Sequence, residues 1–257
     1  MISLSYLTAC ATKKVNNFIV PAWSAPARVR ALVTTRQGGF SQPPWNSLNL
    51  GTHVGDDDVD VANNRNYLRQ YLPVEPVWLN QVHSARCIDA AKVPNGKVVE
   101  ADASISRQRG VVCAVLTADC LPVLLCDEEA RVVGVAHAGW RGLAAGVIES
   151  TVVAMAEPAA KLSAWLGPAI GPQKFEVGHD VFAAFVTHDA DAADAFHSQG
   201  QGKWLCDIYK LARQRLAALG VRRIASADFC TVRDTEQFFS YRRDGVTGRF
   251  ASCIWLE

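Results

Sequence analysis

Residues 111–137 read VVCAVLTADCLPVLLCDEEARVVGVAH. Three near-continuous apolar runs lie in this stretch: Val111–Thr117, Val123–Cys126 and Arg131–His137. A strand with one wet face alternates apolar and polar residues. Runs without that alternation are the mark of strands covered on both faces. The turns between them, Thr117-Ala118-Asp119-Cys120-Leu121-Pro122 and Asp127-Glu128-Glu129-Ala130, carry the polar residues.

Working outward, Val29–Thr35 reads as a strand that runs into the turn Arg36-Gln37-Gly38-Gly39. A loop through Pro43-Pro44-Trp45-Asn46 leads to Ser47–Gly51. Asp56-Asp57-Asp58 then opens a helix over about residues 59–71, with Val61, Leu68 and Leu72 on one face. Val77–His83 is a further strand. Beyond His137, Ala138–Gly142 turns the chain into a helix over Leu143–Ala156, and Ser163–Leu166 is a short strand. Helices are expected over about 179–196 and 204–219, the second stopped by Gly220. Arg222–Ala225 reads as a strand, and Phe238–Arg243 with Arg249–Trp255 as a closing hairpin. The fold class is α/β: a single domain with mixed β-sheets flanked by helices, in layers. No Gly-x-Gly-x-x-Gly or Walker pattern follows a strand, which disfavours dinucleotide and P-loop chemistry.

The chain has 257 residues, 49% hydrophobic and 20% charged, a formal net charge of +1 and eight cysteines. A chain of this length buries roughly 70–75% of its unfolded surface and needs no staple to fold. The balanced charge leaves no broad basic field for nucleic acid or a membrane surface, but allows a small anion held by local arginines. No apolar run reaches the roughly 18–20 residues of a membrane span. Leu7-Thr8-Ala9-Cys10 has the form of a lipoprotein box, but Met1–Tyr6 lacks the basic region and apolar core of a signal peptide. Residues 1–17 are expected to be a loose N-terminal extension to a domain over 18–257, and the compartment to be the cytoplasm, where thiols stay reduced. No Cys-x-x-Cys occurs, so neither a zinc ribbon nor a thioredoxin-type motif is present.

Three residues end predicted strands beside Asn, Asp or Gly: His83, Cys120 and His137. Two imidazoles and a thiolate suit zinc, and three protein ligands with an open fourth position form the catalytic arrangement. Core residues are the bland alternative for such a trio. The strand-to-helix turn Gly139-Trp140-Arg141-Gly142 offers backbone N–H groups and a guanidinium to an anion, and Arg36 beside Gly38-Gly39 could add another. His53 is a loop histidine, a pocket wall or nothing. In Arg242-Arg243, strand alternation lets at most one side chain face a pocket. His179, His188 and His197 are expected to face solvent. Asp119 and Asn49 are candidates for the proton donor.

Thr34–Ser41, Ser47–Leu50, Asn80–Ser84, Thr117–Pro122, Ala136–Gly142, Leu166–Gly171 and Phe239–Asp244 together resemble the YfiH family, long labelled laccase-domain or multicopper polyphenol oxidase. The resemblance runs in order over roughly residues 30–256. It implies a cytosolic α/β fold similar to a toxin deamidase with a Cys–His site. It also implies a zinc site matching His83, Cys120 and His137, and purine nucleoside phosphorylase, adenosine deaminase and methylthioadenosine phosphorylase activities. Some members are described as editing peptidoglycan precursors, and the older label makes copper the alternative metal.

Multicopper oxidases hold their cluster through several His-x-His pairs, and this sequence has none among its six histidines. Cytidine-type deaminases need His-x-Glu and Pro-Cys-x-x-Cys, also absent. The expectation is therefore a zinc-dependent purine nucleoside phosphorylase with adenosine deaminase activity, taking purine nucleoside and phosphate. His83, Cys120 and His137 are the catalytic and metal residues, and Arg36, Asn49 and Arg141 bind substrate or phosphate. A Cys–His hydrolase with Cys120 as nucleophile is the alternative, together with a peptidoglycan-precursor editing factor.

Overall fold

The computed structural model describes residues 13–15 and 17–257. Two large sheets lie face to face. The first holds five antiparallel strands in the order Lys13–Val15, Phe18–Val20, Val29–Thr34, Phe250–Leu256 and Cys113–Thr117. The second holds six, in the order Arg223–Ser226, Leu162–Leu166, Leu121–Asp127, Val133–Ala138, Ala103–Ser106 and Cys87–Asp89. Its outermost pairings are parallel and its inner ones antiparallel, so it is mixed.

Side-chain alternation sorts the core into layers. Leu124, Cys126, Val133 and Val135 of the second sheet meet Val33, Val115 and Ile254 of the first. On the far side of the second sheet, Val123, Leu125 and Ala136 pack against Ile148, Val152 and Met155 of one helix and Leu211 and Leu216 of another. On the far side of the first, Leu32, Leu116 and Cys253 pack against Leu68 of the helix Asp58–Arg69. The order is helix, sheet, sheet, helix. Leu121–Asp127 is buried at every position, as its unbroken apolar run requires. The α/β class and layering expected from sequence hold.

Several local expectations do not. The boundary drawn at residue 17 falls inside a ribbon, because Lys13–Val15 pairs with Phe18–Val20. The Leu7–Cys10 box lies outside the described residues. Val77–His83 keeps only Leu79–Asn80 as a strand, paired with Val99–Glu100, and a single bridge from Val77 to Cys113. The helix expected over 143–156 starts earlier and divides into Trp140–Ala144 and Val147–Met155, because Gly146 takes φ +94° between them. The helix over 179–196 stops at Val186, and Asp189 caps a separate 3-10 turn over Ala190–Ala195. Residues 203–206 form a strand, and the helix Ile208–Ala218 begins only where the Asp207 carboxylate accepts the Lys210 N–H. The closing hairpin is absent. Tyr241–Asp244 is a helical turn capped by Ser240, and Phe250–Leu256 inserts between Val29–Thr34 and Cys113–Thr117. Strands so distant in sequence leave no hairpin signature to read.

A candidate metal centre beside unpaired arginines

The strand Cys113–Thr117 belongs to the first sheet and Leu121–Asp127 to the second, so Ala118-Asp119-Cys120 is the crossing between layers. Asp119 makes the crossing at φ +93°, a conformation an L residue adopts only where its surroundings impose it. Its surroundings do. Its carbonyl accepts the Ile170 N–H, and its carboxylate accepts the Thr231 hydroxyl and, at 2.7 Å, the Arg242 N–H. Both carboxylate oxygens are committed, which makes Asp119 an organiser of loops rather than the proton donor considered for it.

Leu121 pairs with Ala138, so Cys120 emerges next to His137. His83 arrives from a third direction. Asp102, fully buried, accepts the N–H groups of Val82, His83 and Ser84, the Ser84 hydroxyl, and His137 Nδ1 at 2.8 Å. This carboxylate pulls residues 82–84 out of strand geometry, with His83 at φ +61°. The metal-ligating type atoms of His83, Cys120 and His137 lie within 4.8 Å of one another, with Cys120 Sγ 3.8 Å from His83 Nε2. The glycine at 139 is required by this crowding: a Cβ there would stand 2.7 Å from Cys120 Sγ and 2.9 Å from His83 Cδ2.

Burial opposes ionisation of Asp102, but hydrogen bonds from His137 and Ser84 outweigh it and hold the carboxyl at about 2. Burial likewise opposes the Cys120 thiolate, yet the neighbouring His137 charge and hydrogen bonds from both imidazoles lower it to about 6. His137 is driven the other way. Burial disfavours its cation, but Cys120 and Asp102 raise it to about 9. Both shifts favour a thiolate–imidazolium pair at neutral pH when no metal is bound. The donor types suit zinc, whose tetrahedron places donors about 3.3–3.7 Å apart, somewhat closer than the 3.8 Å from Cys120 Sγ to His83 Nε2 and the 4.8 Å limit across the cluster. His137 has its Nδ1 fixed on a carboxylate, the outer-shell arrangement common to metal-bound histidines.

A cavity of about 520 Å³ opens over this cluster, within the roughly 300–1,000 Å³ of small-molecule sites. Leu116, Ile170, Phe175 and Ile208 give it an apolar wall. Arg141, Arg242 and Arg249 also line it, and none has a carboxylate within ion-pair distance among the described residues. Arg141 stacks on the Trp140 ring at 4.3 Å, and Arg242 donates to the Glu176 carbonyl.

Some of the residues singled out in the sequence converge on this cavity and others do not. His83, Cys120, His137 and Arg141 share the cavity, and His53 lines it too. Arg36 does not line it. Its guanidinium donates to the carbonyls of Asn46 and Thr235 and lies 4.9 Å from the Phe239 ring, beside a separate cavity of about 370 Å³. Asn49 is fully buried and binds protein: its amide donates to Gly51 O and Asp56 Oδ2, and its oxygen accepts the N–H groups of Gly51 and Arg249. The helix at Trp140 has five residues, too short for the helix-terminus anion site expected of it. Arg242 faces the cavity from a helical turn rather than a strand, while Arg243 binds the carbonyls of Thr231 and Phe238. His179, His188 and His197 are exposed. Asp102 and Arg249 carry no local signal in the sequence.

The sequence model of a family described as "Multi-copper polyphenol oxidoreductase laccase" matches residues 30–257. The chain is 52% identical over 244 residues to the Pseudomonas aeruginosa protein named purine nucleoside phosphorylase PA4543, covering 95% of this chain and all of that one. It is likewise 52% identical to the Escherichia coli protein named purine nucleoside phosphorylase YfiH, over 94% of this chain and all of its relative. A crystal structure of the Neisseria meningitidis protein NMB0706 matches it with a TM-score of 0.92 at 51% identity, covering 94% of this chain and all of that one.

Proposed function

The chain belongs to the multi-copper polyphenol oxidoreductase laccase family, and we propose that within it this protein is a purine nucleoside phosphorylase. Its substrates are adenosine, inosine and methylthioadenosine, and adenosine deaminase activity accompanies the phosphorolysis. The observation that carries the reading is one cavity uniting an apolar wall, a three-donor metal cluster and three arginines that form no ion pair with a carboxylate among the described residues. The names given to relatives at 52% identity support the same reaction.

In the reaction, a phosphate oxygen bonds to C1′ of the nucleoside. The C1′–N9 bond breaks with its electron pair passing to the purine, which leaves after gaining a proton. The products are the free base and ribose 1-phosphate, or 5-methylthioribose 1-phosphate where methylthioadenosine is the substrate. Leu116, Ile170, Phe175 and Ile208 pack against the flat faces of the purine and exclude water from them. The arginines neutralise phosphate, and no carboxylate among the described residues forms an ion pair with them. Asp102 fixes His137 in one tautomer and holds the segment that carries His83. Zinc bound by His83, Cys120 and His137 would supply a Lewis acid to polarise a substrate oxygen; copper is the metal the family description names. In deamination water replaces phosphate, adding at C6 of adenosine as ammonia departs. A multicopper oxidase is disfavoured by the donors available, since the described residues gather one group of three.

The test is a panel of adenosine, inosine and methylthioadenosine with and without phosphate, read by product chromatography. Phosphate-dependent release of hypoxanthine from inosine, abolished by Cys120→Ala, is the expected result. Failure to turn over any of the three overturns the reading.

One observation favours a second reading: Cys120, His137 and Asp102 have the order of a nucleophile, a base and its orienting carboxylate. In that case the protein is a metal-free Cys–His hydrolase acting in the cytoplasm. Elemental analysis of protein purified without added metal separates the two, because less than about a tenth of an equivalent of zinc or copper overturns the metal-site reading.

A further inference from the structure

We infer that Arg249 and His53 together form the seat of the inorganic phosphate, with the buried Asn49 as the residue that positions both. The inference rests on the phosphorolytic reading in assigning phosphate as the anion.

Arg249 is half-buried beside Cys120 and Asp119, and its side chain makes no ion pair among the described residues. Its Nη1 donates to the carbonyls of Thr247 and Gly248 at 2.9 and 3.0 Å. Nε and Nη2 have no partner among the described residues, so one edge of the guanidinium fork is anchored and the other is open. Asp119 and Cys120 lie near enough to favour its charge but outside ion-pair distance, and the Asp119 carboxylate already accepts from Thr231 and Arg242. The Tyr241 ring lies 5.9 Å from the guanidinium carbon, so the open edge still has capacity for an anion. The open edge has the two-point geometry that phosphate oxygens accept.

His53 lines the same cavity, and neither ring nitrogen has a hydrogen-bond partner among the described residues. The charged groups acting on it are Arg249 and Arg65, and with burial they hold its pKa below the usual histidine value. Neutral, it offers one ring N–H to an oxyanion. An anion between it and Arg249 would reverse the repulsion.

Both groups are fixed through one amide. Asn49 accepts the Arg249 N–H at 2.8 Å, accepts the Gly51 N–H at 2.9 Å, and donates to Gly51 O and Asp56 Oδ2 on either side of His53. The packing is close enough to exclude side chains. A Cβ on Gly51 would lie 2.9 Å from Arg249 Cγ, and one on Gly248 would lie 2.9 Å from Asn49 Cβ. The arginine and the histidine therefore share a single frame.

The test is equilibrium binding of inorganic phosphate to the full-length protein by calorimetry, with adenosine 5′-monophosphate as a second arm. Arg249→Met is expected to weaken phosphate binding at least tenfold, Arg249→Lys to restore part of it, and His53→Phe to weaken it several-fold. Unchanged phosphate affinity in Arg249→Met overturns the inference even if phosphorolysis proceeds. Binding lost in that variant upholds it even if the wild type turns over no nucleoside. Binding of the nucleotide alone, without inorganic phosphate, overturns it. Should Arg249→Met fail to fold, the wild type decides by nuclear magnetic resonance: saturating phosphate raises the His53 pKa if the two groups share the anion, and leaves it unmoved if they do not.

Discussion

The Asp102 carboxylate, sealed from solvent, accepts the Nδ1 proton of His137 at 2.8 Å while four other donors from residues 82–84 converge on the same two oxygens. One side chain thus sets the tautomer of one proposed ligand and the backbone path of another. Asp102→Asn puts an amide N–H against donors that have nowhere to turn. We expect metal affinity to fall by about 10–100-fold and stability by about 3 kcal/mol. Competition with a chromogenic chelator and urea unfolding of stripped protein measure the two separately. Unaltered zinc affinity would remove Asp102 from the site.

Gly139→Ala inserts a methyl group 2.7 Å from the Cys120 sulfur. The thiolate and the His83 ring must both yield. A displacement of this order costs about 100-fold in rate where reacting groups are prepositioned. Steady-state phosphorolysis of inosine checks it. The far-ultraviolet dichroism of the variant should match the wild type, because Gly139 caps a helix of only five residues.

Metal uptake should depend on pH with a defined sign. The metal requires neutral His137 and ionised Cys120. His137, raised to about 9, carries a proton that must leave below that pH, and Cys120, lowered to about 6, is protonated only below that value. Zinc affinity is therefore expected to fall about tenfold per pH unit from 9 towards 6, and more steeply below 6. About one proton should appear per zinc bound at pH 7.5. Potentiometric titration in dilute buffer reads this directly, and the absence of released protons would contradict the ion pair.

Arg36→Met tests whether that residue has any part in substrate binding. Its guanidinium holds the loops at Asn46 and Thr235 by solvent-accessible carbonyl contacts, each worth about 0.5–1.5 kcal/mol net. A lowered midpoint of thermal unfolding is expected, with the KM for phosphate within about twofold of wild type on this contact geometry. A KM raised tenfold would return Arg36 to the site.

What the sequence discloses and what it conceals follow from the range of the interactions. Leu121–Asp127 shows its double burial in its own residues, and His83, Cys120 and His137 stand out because polar ligating types close apolar runs. Asp102 sits in Ala101-Asp102-Ala103 and looks like any loop acid, since its partners come from 18 to 20 and 35 residues away. Arg36 misleads for a related reason. The glycines after it suggest room for a ligand, yet Gly39 is small because a Cβ would stand 2.3 Å from the Ser47 carbonyl. Asn49, expected to bind substrate, is buried and hydrogen-bonds instead to Gly51, Asp56 and Arg249 of the chain itself. The Phe250–Leu256 strand has both partners more than 130 residues upstream, beyond any local pattern.

That strand has a consequence for the order of events in synthesis. It lies between two strands that cannot pair with each other across its place, and Arg249 immediately precedes it. Every other element of the two sheets leaves the ribosome first. The five-stranded layer stays open, and the cavity lacks one of its cations, until these last residues arrive. A chain interrupted shortly before Arg249 would hold His83, Cys120 and His137 in its sequence but neither a closed first layer nor a finished pocket. Closure of the first sheet and placement of Arg249 in the cavity wall are set by the same few residues.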